Sequence, residues 1–134
     1  MIAAGLEHAA ALTDDGRLVT WGNPDGGRLG RRKTRGMGRH ALSRPALVGL
    51  PHADQRLCSV SCGHAHTVAV SEGGALWMWG QLGKDAAYSQ PVRALGEKLG
   101  GAHFVRACAA SSLTSECYTL AVAVPPAAEE EEGW

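Results

Sequence analysis

Seven basic residues lie between positions 28 and 44 with no acidic residue among them, and they are the clearest candidate for binding chemistry in this sequence. Clustered Lys and Arg side chains bind phosphate or carboxylate surfaces through charge density and need no fixed geometry. The segment therefore predicts a contact with an acidic protein surface or a nucleic acid, and residues 31–35 also resemble a nuclear import signal. A solvated loop without a partner is the alternative interpretation. The residues are Arg28, Arg31, Arg32, Lys33, Arg35, Arg39 and Arg44.

The four cysteines at positions 58, 62, 108 and 117 could hold a metal, but they contain no C-x2-C pair. In an extended strand Cys58 and Cys62 would lie about 13 Å apart, whereas zinc–sulfur bonds are about 2.3 Å long. His64 and His66 add two imidazoles without a third and fourth ligand nearby in the sequence. We therefore expect free thiols that pack as small apolar side chains, in a reducing compartment.

Catalytic constellations are not evident in the sequence. It contains no Gly-x-Ser-x-Gly motif, and no nucleophile stands near a base. The glycine-rich residues 26–30 follow an apolar run, but no helical pattern opens after them, so a phosphate-binding helix N-terminus is not predicted. The sequence predicts a binding protein rather than an enzyme, with no catalytic residue, no cofactor and no metal.

The elements that must position the basic segment are short strands. Glycine accounts for 18 of 134 residues and falls at turns between short apolar runs, a pattern typical of β-structure. Two such runs, His66–Val70 and Ala75–Trp79, flank a glycine-containing turn and predict a hairpin. The second run is apolar at both parities, so we expect its strand to be covered on both faces.

The strand pattern repeats along the chain. Residues 2–22 align with residues 60–80 at an offset of 58 without a gap, and residues 43–45 match residues 89–91 at an offset of 46. The 12-residue difference falls in the loop that carries the basic segment, and long loops on rigid scaffolds often bind partners. A period of this length predicts four-stranded propeller blades. The recurring positions are Gly5 and Gly63, His8 and His66, Gly16 and Gly74, Trp21 and Trp79, and Gly22 and Gly80.

The two histidines among these positions are expected to have a structural role, because each copy would use the imidazole in the same way. One prediction is that the ring of His8 or His66 hydrogen-bonds backbone between adjacent strands. Catalysis and metal binding are the alternatives.

These motifs resemble the regulator-of-chromosome-condensation repeat, which runs in outline G-x-x-H-S/T-x-A-L, D-G, W-G and G-Q-L-G. The first copy supplies them from Gly5-x-x-His8 to residues 27–30, and the second supplies them from Gly63 to Gly83. The resemblance implies an all-β fold, a partial β-propeller of four-stranded antiparallel blades. About two to two and a half blades are expected, fewer than the seven of a closed ring. A fragment of a larger propeller, or self-association through open blade edges, is therefore expected.

For function, the resemblance implies a non-catalytic protein-interaction module. The alternative is a guanine-nucleotide exchange factor for a small Ran-type GTPase associated with chromatin, which the founding member of the family suggests. An ultraviolet-sensing branch of the family carries a Gly-Trp-Arg-His-Thr motif. The tryptophan–arginine pair of that motif is missing from residues 5–9 and 63–67, which argues against light sensing.

The predicted organisation is a repeat region over residues 1–124 followed by a disordered acidic tail over residues 125–134. The repeats are expected at about 2–59, 60–105 and, in degenerate form, 106–124. The chain has 13 basic and 13 acidic residues, but four of the acids are the tail's glutamates. The N-terminus lacks the features of a secretory signal, so a cytoplasmic or nuclear location is expected.

Overall fold

The computed structural model describes residues 1–32, 40, 43–50, 56–83, 86–93, 103–111 and 117–124. Over these residues the chain is almost entirely β-structure, with one short 3-10 turn at Asp25–Gly27. No helix in this described part is long and apolar enough to cross a membrane. The strands are β1 Ile2–Ala4, β2 His8–Leu12, β3 Leu18–Gly22, β4 Ala46–Leu47, β5 Leu57–Cys62, β6 His66–Ser71, β7 Leu76–Gly83, β8 Ala86–Arg93, β9 His103–Ser111 and β10 Cys117–Val124.

The strands form three antiparallel sheets, each made of consecutive strands. The first sheet has the order β1-β2-β3-β4, the second has β5-β6-β7-β8, and the third contains β9 and β10. Two four-stranded sheets and a two-stranded sheet match the partial propeller that the sequence predicts, so the predicted fold class is confirmed.

The strand pairing of the first sheet recurs in the second sheet at the offset of 58 residues that relates the two sequence copies. In the first sheet Ile2 lies opposite Ala11, and Ala11 lies opposite Val19. In the second sheet the pairs are Val60 with Ala69 and Ala69 with Trp77, each 58 residues further along. Because side chains directly opposite each other share a face, the two sheets present equivalent faces. We call the face that carries Val60, Ala69 and Trp77, and its equivalents, the front, and the other face the back.

The sheets stack front to back. Ala10 and Leu18, on the back of the first sheet, belong to one core cluster with residues of the second sheet's front. The back of the second sheet, with Val68, Val70 and Leu76, packs against side chains of β9 such as Phe104, Ala107 and Ala109. Strand β7 is therefore covered on both faces, as its apolar residues at both parities predict. Apolar burial on both sides of the second sheet holds the three sheets together.

Candidate protein interface

The loop after β3 locks the first sheet onto the second. Trp79 is fully buried, and its indole Nε1 donates a hydrogen bond of 3.0 Å to the carbonyl oxygen of Arg28. The hydroxyl of Thr67 donates to the same carbonyl at 2.9 Å. Thr20, in the first sheet, donates to the carbonyl of Leu29 at 2.7 Å. Residues 28 and 29 are thus held by buried groups from both sheets.

A histidine contact accompanies this loop. His8 Nε2 lies 2.9 Å from Thr67 Oγ1. Since the Thr67 hydroxyl gives its one proton to Arg28, its oxygen can only accept from His8, which assigns the neutral Nε2–H tautomer. Burial and, to a smaller extent, the positive charge of Arg28 together lower the pKa of His8 to about 4. The same contact recurs between the second and third sheets, where His66 Nε2 lies 3.4 Å from Thr119 Oγ1.

The sequence predicts a backbone partner for the rings of these histidines, and in the structure Nε2 of His8 contacts a side-chain hydroxyl of the next sheet. The signal was present, because threonine follows the histidine position in the second and third copies as Thr67 and Thr119. The first copy has Ala9 at this position. The role of the threonine emerges only when one blade is placed against the next.

The spacing Gly-x-x-His also has a packing cause. A Cβ atom on Gly5 would lie 2.6 Å from Nδ1 of His8 and 2.5 Å from the carbonyl oxygen of Gly63. Both contacts are far too short, so any other residue would displace the imidazole. The recurring glycines outside the Gly-x-x-His motif adopt positive φ: Gly16 (+80°), Gly22 (+111°), Gly74 (+87°) and Gly80 (+95°).

Replacing Thr67 with Val should lower the free energy of unfolding by about 2 kcal/mol, because the Nε2–H of His8 loses its acceptor in a buried site. Thr119→Val is the matched control, since its contact with histidine is longer and the side chain is only half-buried. Urea titration of both variants checks this. Equal losses at the two positions would contradict the assigned role.

The structure separates the predicted basic residues into two groups. Arg28 is only 8% exposed. Its Nε donates to the carbonyl of Asp25 at 2.8 Å, and its Nη1 lies 3.3 Å from Oε2 of Glu7. Arg28 therefore uses its donors within the fold.

Arg31 closes the base of the basic loop. Its Nη2 donates to the carbonyl of Thr20 at 3.0 Å and to the carbonyl of Arg44 at 2.9 Å. Burial lowers the pKa of Arg31, although a guanidinium remains charged at physiological pH. By bonding Arg44 across the loop, Arg31 holds the two ends of the basic segment together. We call residues 32–44, which this contact closes, the basic insertion.

The five remaining basic residues of the predicted cluster lie within this insertion in the sequence. Arg32 and Arg44 are exposed at its two ends. A shallow cavity of about 340 Å³ lies between Arg32 and residues 87–91 of β8, which include the exposed Tyr88. Lys33, Arg35 and Arg39 lie outside the residues that the structure describes.

The cysteines differ partly from expectation. Cys62 is half-buried, and burial raises the pKa of its thiol to about 11, which makes it unreactive. Cys58 and Cys108 are exposed rather than buried, because Cys58 lies at a register shift in β5 and Cys108 lies on the uncovered back of the third sheet. All three thiols are free. Within the described ranges no three His, Cys, Asp or Glu residues converge as metal ligands would.

Comparisons with known proteins agree with this geometry. Residues 15–70 match the family model of the regulator of chromosome condensation (RCC1) repeat. The mitochondrial RCC1 domain-containing protein RUG3 of Arabidopsis thaliana is 34% identical over 79 residues, which are 59% of this chain and 16% of that protein. The ultraviolet-B receptor UVR8 of the same plant is 38% identical over 84 residues, which are 60% of this chain and 17% of the receptor.

Solved structures share the fold. The crystal structure of Prp20p from Saccharomyces cerevisiae superposes with a TM-score of 0.71 at 22% identity, covering 94% of this chain and 31% of that one. The crystal structure of human WBSCR16 gives a TM-score of 0.69 at 22% identity, covering 91% of this chain and 30% of that one. This chain thus spans about a sixth of the two Arabidopsis relatives and less than a third of either solved chain. These matches and the repeating register of the sheets together show that the chain contains the regulator-of-chromosome-condensation repeat at residues 15–70.

Proposed function

We propose that this chain is a non-catalytic protein-interaction module in which the stacked blades support the basic insertion and the insertion contacts an acidic partner. The observation that carries the proposal is the bond from Arg31 to Arg44, which closes the insertion at its base. The exposed Arg32 and Arg44 flank that closure. A positively charged loop anchored on a rigid scaffold is a common arrangement for binding.

The clustered positive charge of the insertion favours a partner whose surface carries clustered negative charge. Between Arg32 and Arg44 the sequence has five basic residues and no acidic residue. The bond from Arg31 holds Arg44 in place, which reduces the conformational entropy lost when this end of the loop binds a partner. Prp20p is described as binding Gsp1p and histones. A nucleosome presents both phosphate and carboxylate surfaces, so it is a suitable probe for this chain.

Neutralising four charges of the insertion, as Arg32→Gln, Lys33→Gln, Arg35→Gln and Arg39→Gln together, should weaken nucleosome binding by at least about tenfold at physiological salt. Arg31 is not substituted in this variant, because its bond to Arg44 closes the loop. Fluorescence anisotropy with labelled nucleosome core particles measures the affinity.

The matched control replaces two exposed arginines elsewhere, as Arg17→Gln and Arg56→Gln. Arg17 lies 2.8 Å from Asp15, and Arg56 lies 3.8 Å from Glu72, so each already has an acidic neighbour. This control should bind as the wild type does. Unchanged binding by the four-charge variant, with circular dichroism like that of the wild type, would refute the proposed role of the insertion.

A guanine-nucleotide exchange factor for a Ran-type GTPase is the second candidate function. Its support is the likeness to Prp20p, which is described as binding Gsp1p, although the likeness reaches only 31% of that protein. Release of labelled GDP from Gsp1p, measured with and without this chain, separates the two functions. Accelerated release would favour the exchange factor, and an unchanged rate would favour the interaction module.

A further inference from the structure

Three arginines lie in the described part of the loop after β3, and the fold uses the charge of two of them. Arg28 and Arg31 donate their hydrogen bonds to carbonyl and carboxylate groups of the chain itself. Arg32 is exposed, and its guanidinium has no hydrogen-bond or ion-pair partner among the described residues. The guanidinium of Arg32 is therefore available to an anion from outside.

A cavity of about 340 Å³ opens beside this guanidinium. We call it the Arg32 cavity, and its opposite wall is formed by residues 87–91 of β8. Ser89 and Gln90 are exposed there, and their hydroxyl and amide groups can donate hydrogen bonds to an oxygen atom that Arg32 holds. Ligand sites in proteins occupy about 300–1,000 Å³. The Arg32 cavity lies at the lower end of that range, which suits a single side chain and the backbone next to it.

Both walls of the Arg32 cavity are held by contacts within the fold. Gly27 lies directly against β8, because a Cβ atom on this glycine would be 2.7 Å from Cα of Ser89 and 2.5 Å from the carbonyl oxygen of Tyr88. Arg31, the residue before Arg32, is fixed by its bonds to two backbone carbonyls. The cavity is therefore largely formed before a ligand arrives, which lowers the ordering cost of binding.

The position of the Arg32 cavity in the stack is internal. The loop of the first sheet and β8 of the second sheet form it, so neither the front of the first sheet nor the back of the third contributes. The sheets approach one another through β1, β5 and β9, and β8 is the edge of the second sheet opposite β5. An edge strand can take up an extended peptide beside it.

We propose that the Arg32 cavity binds a carboxylate side chain of an extended acidic peptide, with Arg32 paired to the carboxylate and Ser89 and Gln90 donating to it. This inference rests on the proposed function, because it names the group that an acidic partner presents to the insertion. A guanidinium and a carboxylate pair through two parallel hydrogen bonds. Phosphates of a DNA duplex bind through charge density and require no cavity. A cavity beside an edge strand therefore favours a protein partner over a nucleic acid.

The test uses a fluorescently labelled peptide of alternating threonine and glutamate, with a threonine–glutamine peptide of the same length as its uncharged match. The wild type should bind the glutamate peptide at least about tenfold more tightly than the glutamine peptide, because only the carboxylate pairs with a guanidinium. Fluorescence anisotropy measures both affinities.

Arg32→Gln should weaken binding of the glutamate peptide by about tenfold or more, the usual effect of losing a charged hydrogen bond. Arg44→Gln removes the same charge from the insertion but outside the cavity, so it should weaken binding by about twofold at most. Ser89→Ala and Gln90→Ala test the opposite wall, and each should weaken binding by about threefold.

Equal losses for Arg32→Gln and Arg44→Gln would overturn the Arg32 cavity as a site, while the proposed function would stand on charge density alone. Glutamate and glutamine peptides that bind equally, or unchanged binding by both β8 variants, would overturn it as well. If the four-charge variant of the insertion binds the peptide and the nucleosome as the wild type does, the proposed function fails too.

A short DNA duplex is the second probe, because it offers phosphate in place of carboxylate. Arg32→Gln should weaken duplex binding by only about twofold, since one of several charges is lost. A loss as large as that for the peptide would assign the cavity to phosphate and contradict the proposed protein ligand.

Discussion

Replacing Trp79 with Ala is expected to lower the free energy of unfolding by about 3–5 kcal/mol, the usual cost of removing a large buried aromatic side chain. The side chain is fully buried in the core between the first and second sheets, and its indole bonds to Arg28. The same substitution at Trp21 should cost about 1–2 kcal/mol, because the half-buried ring covers less apolar surface.

The two tryptophans are equivalent in sequence and register, so they separate the effect of residue type from the effect of position. Urea unfolding at a protein concentration where the chain is monomeric gives both values. Trp79→Phe removes the N–H while keeping most of the ring, and it should cost about 1 kcal/mol from the lost hydrogen bond alone. Similar losses for Trp79→Ala and Trp21→Ala would contradict the stacking of the first sheet on the second.

Stability should also fall as the pH drops from 6.5 toward 4. Burial, with a further effect from Arg28, lowers the pKa of His8 from 6.5 to about 4 in the folded chain. The unfolded chain therefore takes up a proton near pH 6.5 while folded His8 stays neutral. The contribution of this group is fully present above pH 6.5, decreases as the pH falls, and levels off below about pH 4. Its total size is about 3 kcal/mol.

His8→Gln tests this, because the glutamine amide can still donate to Thr67 and has no titrating group in this range. The variant should lose stability less steeply than the wild type between pH 6.5 and 4. Chemical unfolding at several pH values measures the slopes. Parallel slopes for the variant and the wild type would show that the pKa of His8 is the same in the folded and the unfolded chain, which would contradict the lowered pKa.

The repeat made most of the fold predictable from the sequence. An ungapped offset of 58 predicts which residues are equivalent, and the pairs Ile2–Ala11 and Val60–Ala69 follow that offset in the structure. Apolar residues at both parities of β7 predict the cover on its two faces. Neither inference needs side-chain detail, because both depend on the period of the pattern.

The candidate interface was less predictable, because a charge pattern does not say where each side chain goes. Arg28 and Arg31 belong to the basic cluster in sequence, yet both are drawn into the fold by carbonyls of residues 20, 25 and 44. Those acceptors come together only after the first sheet and its loop have formed. The same reason explains Cys108, whose exposure follows from the uncovered back of the third sheet and not from its local sequence.

The most direct test of the proposed interaction module is the salt dependence of nucleosome binding. If the basic insertion contacts phosphate, the logarithm of the wild-type association constant should fall steeply with the logarithm of salt concentration. Neutralising Arg32, Lys33, Arg35 and Arg39 should reduce that slope by about 3–4, nearly one for each lost contact. Equal slopes and equal affinities for the wild type and the four-charge variant would contradict the account.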